Sequence, residues 1–181
     1  MVKDCFRCTL SKTRTTIVNG SGPGNARIVL IGEAPGEQED LKGIPFVGRA
    51  GKFLDSRLSE SGLDKSKLFI TNVVRCRPPR NRKPRDKEIR QCLPNLVEEL
   101  KQMNPSVVIA LGTVAFRALT GQTARLVDVI GEEFEAKLDG LSFCVIPCYH
   151  PSAAMRNPKM KDIMGSILLK AKLRIESTGN C

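Results

Sequence analysis

The chain has no tryptophan, one tyrosine (Tyr149) and one histidine (His150) among its 181 residues. So few broad aromatic faces argue against an extended platform for stacking successive single-stranded bases. No apolar run reaches the roughly 18 residues that a membrane-crossing helix needs. The opening MVKDCFRC lacks the apolar stretch of a signal peptide, so the expected location is cytoplasmic. Neither a GxGxxG fingerprint nor the Gly-Lys-Ser/Thr ending of a phosphate-binding loop occurs, which disfavours a nucleotide hydrolase or kinase. No internal repeat or low-complexity tract stands out.

What is abundant is positive charge: 29 Lys and Arg against 19 Asp and Glu, a formal net charge of +10. Such an excess favours a polyanionic partner, because each phosphate it neutralises releases counterions. The charge is clustered. Arg75, Arg77, Arg80, Arg82, Lys83, Arg85 and Lys87 crowd one proline-rich stretch, RCRPPRNRKPRDK, which its prolines keep from being helical. A basic loop of this kind is a candidate clamp for backbone phosphates, with Arg80, Arg82, Lys83 and Arg85 as its DNA-binding residues.

Seven cysteines in a chain expected to be cytoplasmic are not a disulfide framework. Cys5 and Cys8 form CxxC among Lys3, Arg7 and Lys12, which is poor core sequence. With Cys76 and Cys92 they make a candidate four-thiolate metal site, and the spacing leaves zinc and iron–sulfur both open. Cys144, in LSFCVIP, reads as core, Cys148 has no thiol partner in sequence, and Cys181 ends a polar tail.

A chain of this length and 41% hydrophobic content suits one domain, residues 1–181, with a disordered tail from about 176. Short apolar runs at Arg27–Ile31, Leu68–Val74, Val107–Leu111 and Phe143–Pro147 alternate with helical patterns at Ala50–Ser61, Pro84–Met103, Gly112–Thr120 and Asp162–Ile175. That alternation predicts a three-layer α/β/α fold around a central four-stranded parallel sheet. Pro94 is expected to kink the second helix or start a new one, and residues 131–140 to form a small hairpin before the last strand. In such sheets ligands bind beyond the C-terminal strand ends. Those ends deliver Gly32–Gly36 (GEAPG), Thr71–Asn72, Gly112 and Tyr149–Ser152.

The residues gathered there suit a planar ligand. Phe46, in the loop GIPFVGRAG, can stack on a base. Asn72 interrupts an apolar strand, where an unpartnered amide costs about 1–3 kcal/mol, and its donor and acceptor can read a pyrimidine edge. His150 can donate one hydrogen bond to a developing anion. A ring stacker, an amide, a histidine, carboxylates and a basic rim together suit a base flipped out of DNA.

GEAPG (Gly32–Gly36) with HPSA (His150–Ala153) resembles the uracil-DNA glycosylase superfamily. With PFVGRAG, TNVVRCRPP and the four cysteines, nearly the whole chain is similar to its iron–sulfur-containing family 4. The resemblance implies a [4Fe–4S] cluster on Cys5, Cys8, Cys76 and Cys92, thus favouring iron. It implies uracil contacts from the Glu33–Ala34–Pro35 backbone, Phe46, Asn72 and His150, and hydrolysis of the deoxyuridine N-glycosidic bond in single- or double-stranded DNA, starting base excision repair. The expected catalytic set is His150, Glu33 and Asn72, in a monomer. Better-known superfamily members carry an aspartate where this chain has Ala34, so Glu33, Glu39 and Asn81 become candidates for positioning water. Glu39 and Gly36 are candidates for excluding thymine. Met155 and Arg156 are expected to wedge into the duplex, with Ser152 on a phosphate. The alternatives are a non-catalytic iron–sulfur DNA-binding protein, which needs neither Asn72 nor His150, and a covalent uracil-DNA trap, a related branch with an altered first motif.

Overall fold

A computed structural model describes residues 2–177. Five strands form one sheet in the order β2-β1-β3-β5-β4. They are β1 (Ile28–Gly32), β2 (Leu68–Asn72), β3 (Val107–Leu111), β4 (Phe134–Leu138) and β5 (Leu141–Cys148). The first three and β5 run parallel, with Ile28 opposite both Leu68 and Val107, and Val107 opposite Cys144. Every residue of β1 and β3 is buried, because helices cover both faces. The helices are α1 (Glu37–Lys42), α2 (Arg49–Glu60), α3 (Asp86–Met103), α4 (Thr113–Thr120), α5 (Leu126–Val129), α6 (Pro151–Ala154) and α7 (Pro158–Ser177).

The period of two along each strand sorts its side chains between two cores. Val29 and Ile31 of β1 pack with Leu96 and Leu100 of α3 and Phe116 of α4. Ile28 and Leu30 face the other way, toward Leu54 and Leu58 of α2 and Ile167 and Leu168 of α7. The result is the expected three-layer α/β/α sandwich. The chain leaves β1 toward β2 on one side and returns through β3 on the other, a reversal that opens a crevice at the C-terminal strand ends.

Three expectations are corrected. The sheet has five strands, not four: β4 pairs antiparallel with β5. The hairpin therefore includes the last strand itself, closing through Asp139–Gly140, both at positive φ (49° and 84°), as a tight two-residue turn requires. Pro94 does not start a new helix; it sits inside one continuous helix of 18 residues. Its ring faces solvent while Cys92, Leu96 and Leu100 on either side of it are buried. Burial on both flanks offsets the penalty of about 3 kcal/mol for an interior proline. Finally, Glu176 and Ser177 belong to α7 and are not a disordered tail; the rest of that tail, with Cys181, lies outside the described residues.

Candidate active site

A cavity of about 430 Å³ opens at the C-terminal ends of β1, β2 and β5, a usual size for a small-molecule site. Glu33, Ala34, Pro35, Phe46, Asn72 and His150 all line it. Sequence positions more than a hundred apart thus meet in one crevice.

Its floor depends on Gly32. A Cβ there would lie 2.5 Å from both Phe46 Cζ and Asn72 Oδ1. Only a glycine lets the ring and the amide approach β1 together. Phe46 is buried and adopts φ 53°, a left-handed conformation that costs a bulky residue free energy. Two neighbours hold it there. A Cβ at Gly51 of α2 would lie 1.8 Å from the Phe46 carbonyl oxygen, so helix and loop touch through backbone alone. Glu39 ties the residues after Phe46 to the start of α1: its carboxylate accepts from Gly48 N at 2.7 Å, Val47 N at 2.9 Å and Gly36 N at 3.1 Å.

Asn72 ends β2 and is 2% exposed. Its side-chain amide takes no hydrogen bond from another described residue, and it borders the cavity. Buried polar groups are almost always paired. This amide is positioned for a partner that enters the cavity.

His150 follows β5 and caps α6. Its Nδ1 accepts from Ser152 N at 3.2 Å and lies 2.7 Å from Ser152 Oγ. That network assigns the lone pair to Nδ1 and the proton of the neutral ring to Nε2. Burial pushes the imidazole pKa down to about 4, against the opposing pull of the Glu39 carboxylate. The ring is therefore neutral at pH 7, with Nε2–H available as a donor. Phe46 and His150 face one another with ring centroids 6.1 Å apart.

The acids, grouped together by sequence, have separate environments. Glu33 is half-buried, and burial raises its pKa although the charge of Lys83 opposes the shift. Asp40 is buried and accepts from Thr15 N and Thr16 N, tying the N-terminal segment to α1. Glu37 is exposed and pairs with Arg77. Asn81, at φ 55°, also lines the cavity, and Arg77 Nε donates to its Oδ1 at 2.7 Å.

The basic stretch divides in the same way. Arg80, Lys83 and Arg85 are exposed. Arg82 forks onto Glu88 at 2.7 and 2.8 Å, holding that carboxyl down at about 2. Arg75 is not on the surface at all: it is 1% exposed and paired with Glu99. Sequence composition gave no sign of this, since Arg75 looks like its six cationic neighbours. In α6 and just after it, Ser152 and Arg156 are exposed and Met155 half-buried.

Of the four candidate ligand cysteines, Cys5 and Cys8 are half-buried and Cys76 and Cys92 buried. Burial pushes the Cys76 thiol up to about 11, and the Cys92 thiol upward as well, and each feels the charge of Cys8. Arg14 Nη1 lies 2.7 Å from the Cys5 carbonyl and 3.5 Å from Cys76 Sγ. Arg75 N and Asn95 Nδ2 approach Cys92 Sγ at 3.3 and 3.7 Å. Among the described residues no three Cys, His, Asp or Glu side chains stand close enough to hold a single metal ion. The donor chemistry nonetheless fits a thiolate-bound group: N–H donors and an arginine surround sulfurs whose protons a metal would displace.

The family model for the uracil DNA glycosylase superfamily matches residues 19–171. A Type-4 uracil-DNA glycosylase of Thermotoga maritima is 40% identical over 98% of this chain and 93% of its own. One from Saccharolobus solfataricus is 38% identical over 97% of this chain and 84% of its own. A third, from Archaeoglobus fulgidus, is 40% identical over 89% and 83%. With a family model matching most of its length and Type-4 relatives covered nearly end to end, the chain belongs to the uracil DNA glycosylase superfamily, in its Type-4 branch.

Proposed function

We propose that the chain is a uracil-DNA glycosylase that hydrolyses the N-glycosidic bond of deoxyuridine flipped out of DNA. One observation carries the assignment of roles: the Asn72 amide, which takes no side-chain hydrogen bond among the described residues, faces the same cavity as the Phe46 ring and the neutral His150. A non-catalytic DNA-binding protein has no use for that combination.

In this mechanism uracil stacks on Phe46. Asn72 Oδ1 accepts from its N3–H, and Nδ2 donates to O4. The bond between C1′ and N1 breaks with its electron pair passing to uracil, whose charge spreads onto the carbonyl oxygens O2 and O4. His150 Nε2–H donates to one of them, preorganised by the bonds of Nδ1 to Ser152, and such a donor is worth about 3–4 kcal/mol. Water attacks C1′ and gives up a proton. Glu33, with its raised affinity for protons, is suited to receive it, and Asn81 to orient the water in place of a carboxylate at Ala34. The backbone of Glu33–Pro35 borders the uracil. Glu39 acts at one remove, since its carboxylate is occupied by three backbone amides. Ser152 lines the cavity and is assigned to a backbone phosphate, and Met155 and Arg156, which follow α6, to the gap that flipping leaves.

The test is release of uracil from a uracil-containing oligonucleotide without added metal, followed by alkaline scission of the strand at the resulting abasic site. Intact strands with a folded protein would refute the assignment.

Cys5, Cys8, Cys76 and Cys92 would hold the [4Fe–4S] cluster that the resemblance implies. Its contribution is structural, joining the N-terminal segment to the turn after β2 and to α3. The purified protein is expected to be yellow-brown, with about four iron atoms per chain. A Cys92→Ala variant should lose most of that iron and the N-terminal segment's protection from protease. A colourless protein containing zinc would overturn this assignment.

The basic loop gives a sharper expectation. Arg80→Ala or Lys83→Ala should each lower the salt dependence of DNA binding by about one counterion. Arg82→Ala should instead lower thermal stability, because it strands the buried Glu88 carboxylate. Equal salt slopes across wild type, Arg80→Ala and Lys83→Ala would mean that the loop does not touch phosphate.

A further inference from the structure

Arg75 has contacts that neither DNA binding nor cluster binding requires. Its guanidinium is buried. Nη2 lies 2.6 Å from Glu99 Oε2, and Nη1 donates to the backbone carbonyl of Asn72. Its own peptide N–H donates to Cys92 Sγ at 3.3 Å. Glu99 is fixed in turn by Thr71 Oγ1 at 2.9 Å and Gly20 N at 3.0 Å. One residue therefore bonds both to Asn72 and to a candidate ligand cysteine, and it directly precedes another, Cys76. Asn72 is the last residue of β2, so its orientation depends on what holds the turn that follows. A charge-assisted donor in a dry interior holds a carbonyl firmly. Arg75 Nε has no partner among the described residues, so the guanidinium's placement follows from Asn72 and Glu99, not from full satisfaction of its own donors.

We infer that Arg75 is a positioning residue. Its guanidinium sets the Asn72 amide at its angle in the cavity by holding the Asn72 carbonyl against Glu99. The inference rests on the role proposed for Asn72. Arginine is required because a planar fork reaches Glu99 and the Asn72 carbonyl together, whereas a lysine keeps the charge without the fork.

The experiment is a double-mutant cycle in the full chain, with Arg75→Lys, Asn72→Ala and both combined. It measures kcat, the binding preference for an oligonucleotide bearing a non-hydrolysable deoxyuridine analogue over the same strand bearing the corresponding deoxycytidine analogue, iron per chain, and Tm. Arg75→Lys is expected to lower kcat and the binding preference by about tenfold at unchanged iron content. In the Asn72→Ala background the same change should cost less than about twofold. A full, additive loss in that background would overturn the inference. So would a fall in Tm and iron with preference and kcat intact, the signature of simple packing. If Arg75→Lys does not fold, Thr71→Val, which removes one donor to Glu99, enters the same cycle with the same criteria. An Asn72→Ala variant with wild-type kcat and preference would instead refute the proposed role of Asn72, and the inference with it, a result distinct from additivity.

Discussion

Replacing His150 with alanine is expected to lower kcat by about 10²–10³-fold and leave the affinity for uracil-containing DNA nearly unchanged. The figure is that for deleting one preorganised donor to a developing anion. A loss confined to kcat marks an interaction made only in the transition state. His150 also caps α6 through Nδ1, so fraying of that helix is a competing cause. A His150→Asn variant separates the two. Asparagine is a good N-cap, but its amide is too short to reach where Nε2–H points. If fraying mattered, it would restore the rate; it is expected to remain as slow as alanine. The pH profile gives an independent check. With the native pKa near 4 and the ordinary value near 6.5, the ring stays neutral from pH 8 to about 5, and the His150 contribution to kcat should be flat there. An inflection near 6.5 would mean that the ring titrates normally and that its neutral donor role is wrong. The sign for stability follows from the same difference. Between about 6.5 and 4 the unfolded chain binds a proton that the native ring does not, so acidification through that window favours unfolding.

The sequence made the outline of this site legible because strand ends are easy to find. Each of GEAPG, Asn72 and the Tyr149–Ser152 segment directly follows or ends a short apolar run, and parallel strands must bring such ends together. The edge strand β4 was hard to see for the opposite reason. FEAKL alternates charge with apolar residues because only one of its faces is covered, and its partner is the next strand in sequence. The roles of Arg75, Glu39 and Asp40 were illegible for a different cause. A cation among seven, or an acid among several, looks solvated until packing shows that one is buried against Glu99 and another spends its oxygens on backbone amides. Gly32 illustrates the boundary. Its place in the motif is visible in sequence, but the reason for it, room for Phe46 and Asn72 side by side, exists only in three dimensions.

The second large effect is expected at Asn72, where one atom changes which base is read. In the wild type the amide presents an acceptor to uracil N3–H and a donor to O4. Cytosine presents the reverse pattern, an acceptor at N3 and a donor at N4, and so leaves both buried groups unpaired. Sites built on hydrogen bonds reject such analogues strongly, by up to about 10⁴–10⁵-fold. Asn72→Asp keeps the shape and replaces the fixed N–H donor with a carboxyl whose proton is not fixed to one oxygen. At a position only 2% exposed, burial favours the protonated carboxyl, which offers one O–H donor and one acceptor. Its proton can sit on either oxygen, so it can match cytosine, while its fit to uracil is no longer fixed. Uracil release should fall by about 10²-fold, the cost of losing well-made bonds to a buried edge. Cytosine release, expected to be undetectable in the wild type, should become measurable, and should weaken as pH rises and the carboxyl ionises. Asn72→Ala is the control, since it loses uracil activity without gaining cytosine. If Asn72→Asp retains the wild-type preference for uracil, Asn72 does not read the base edge, and selectivity must come from the backbone of Glu33–Pro35 alone.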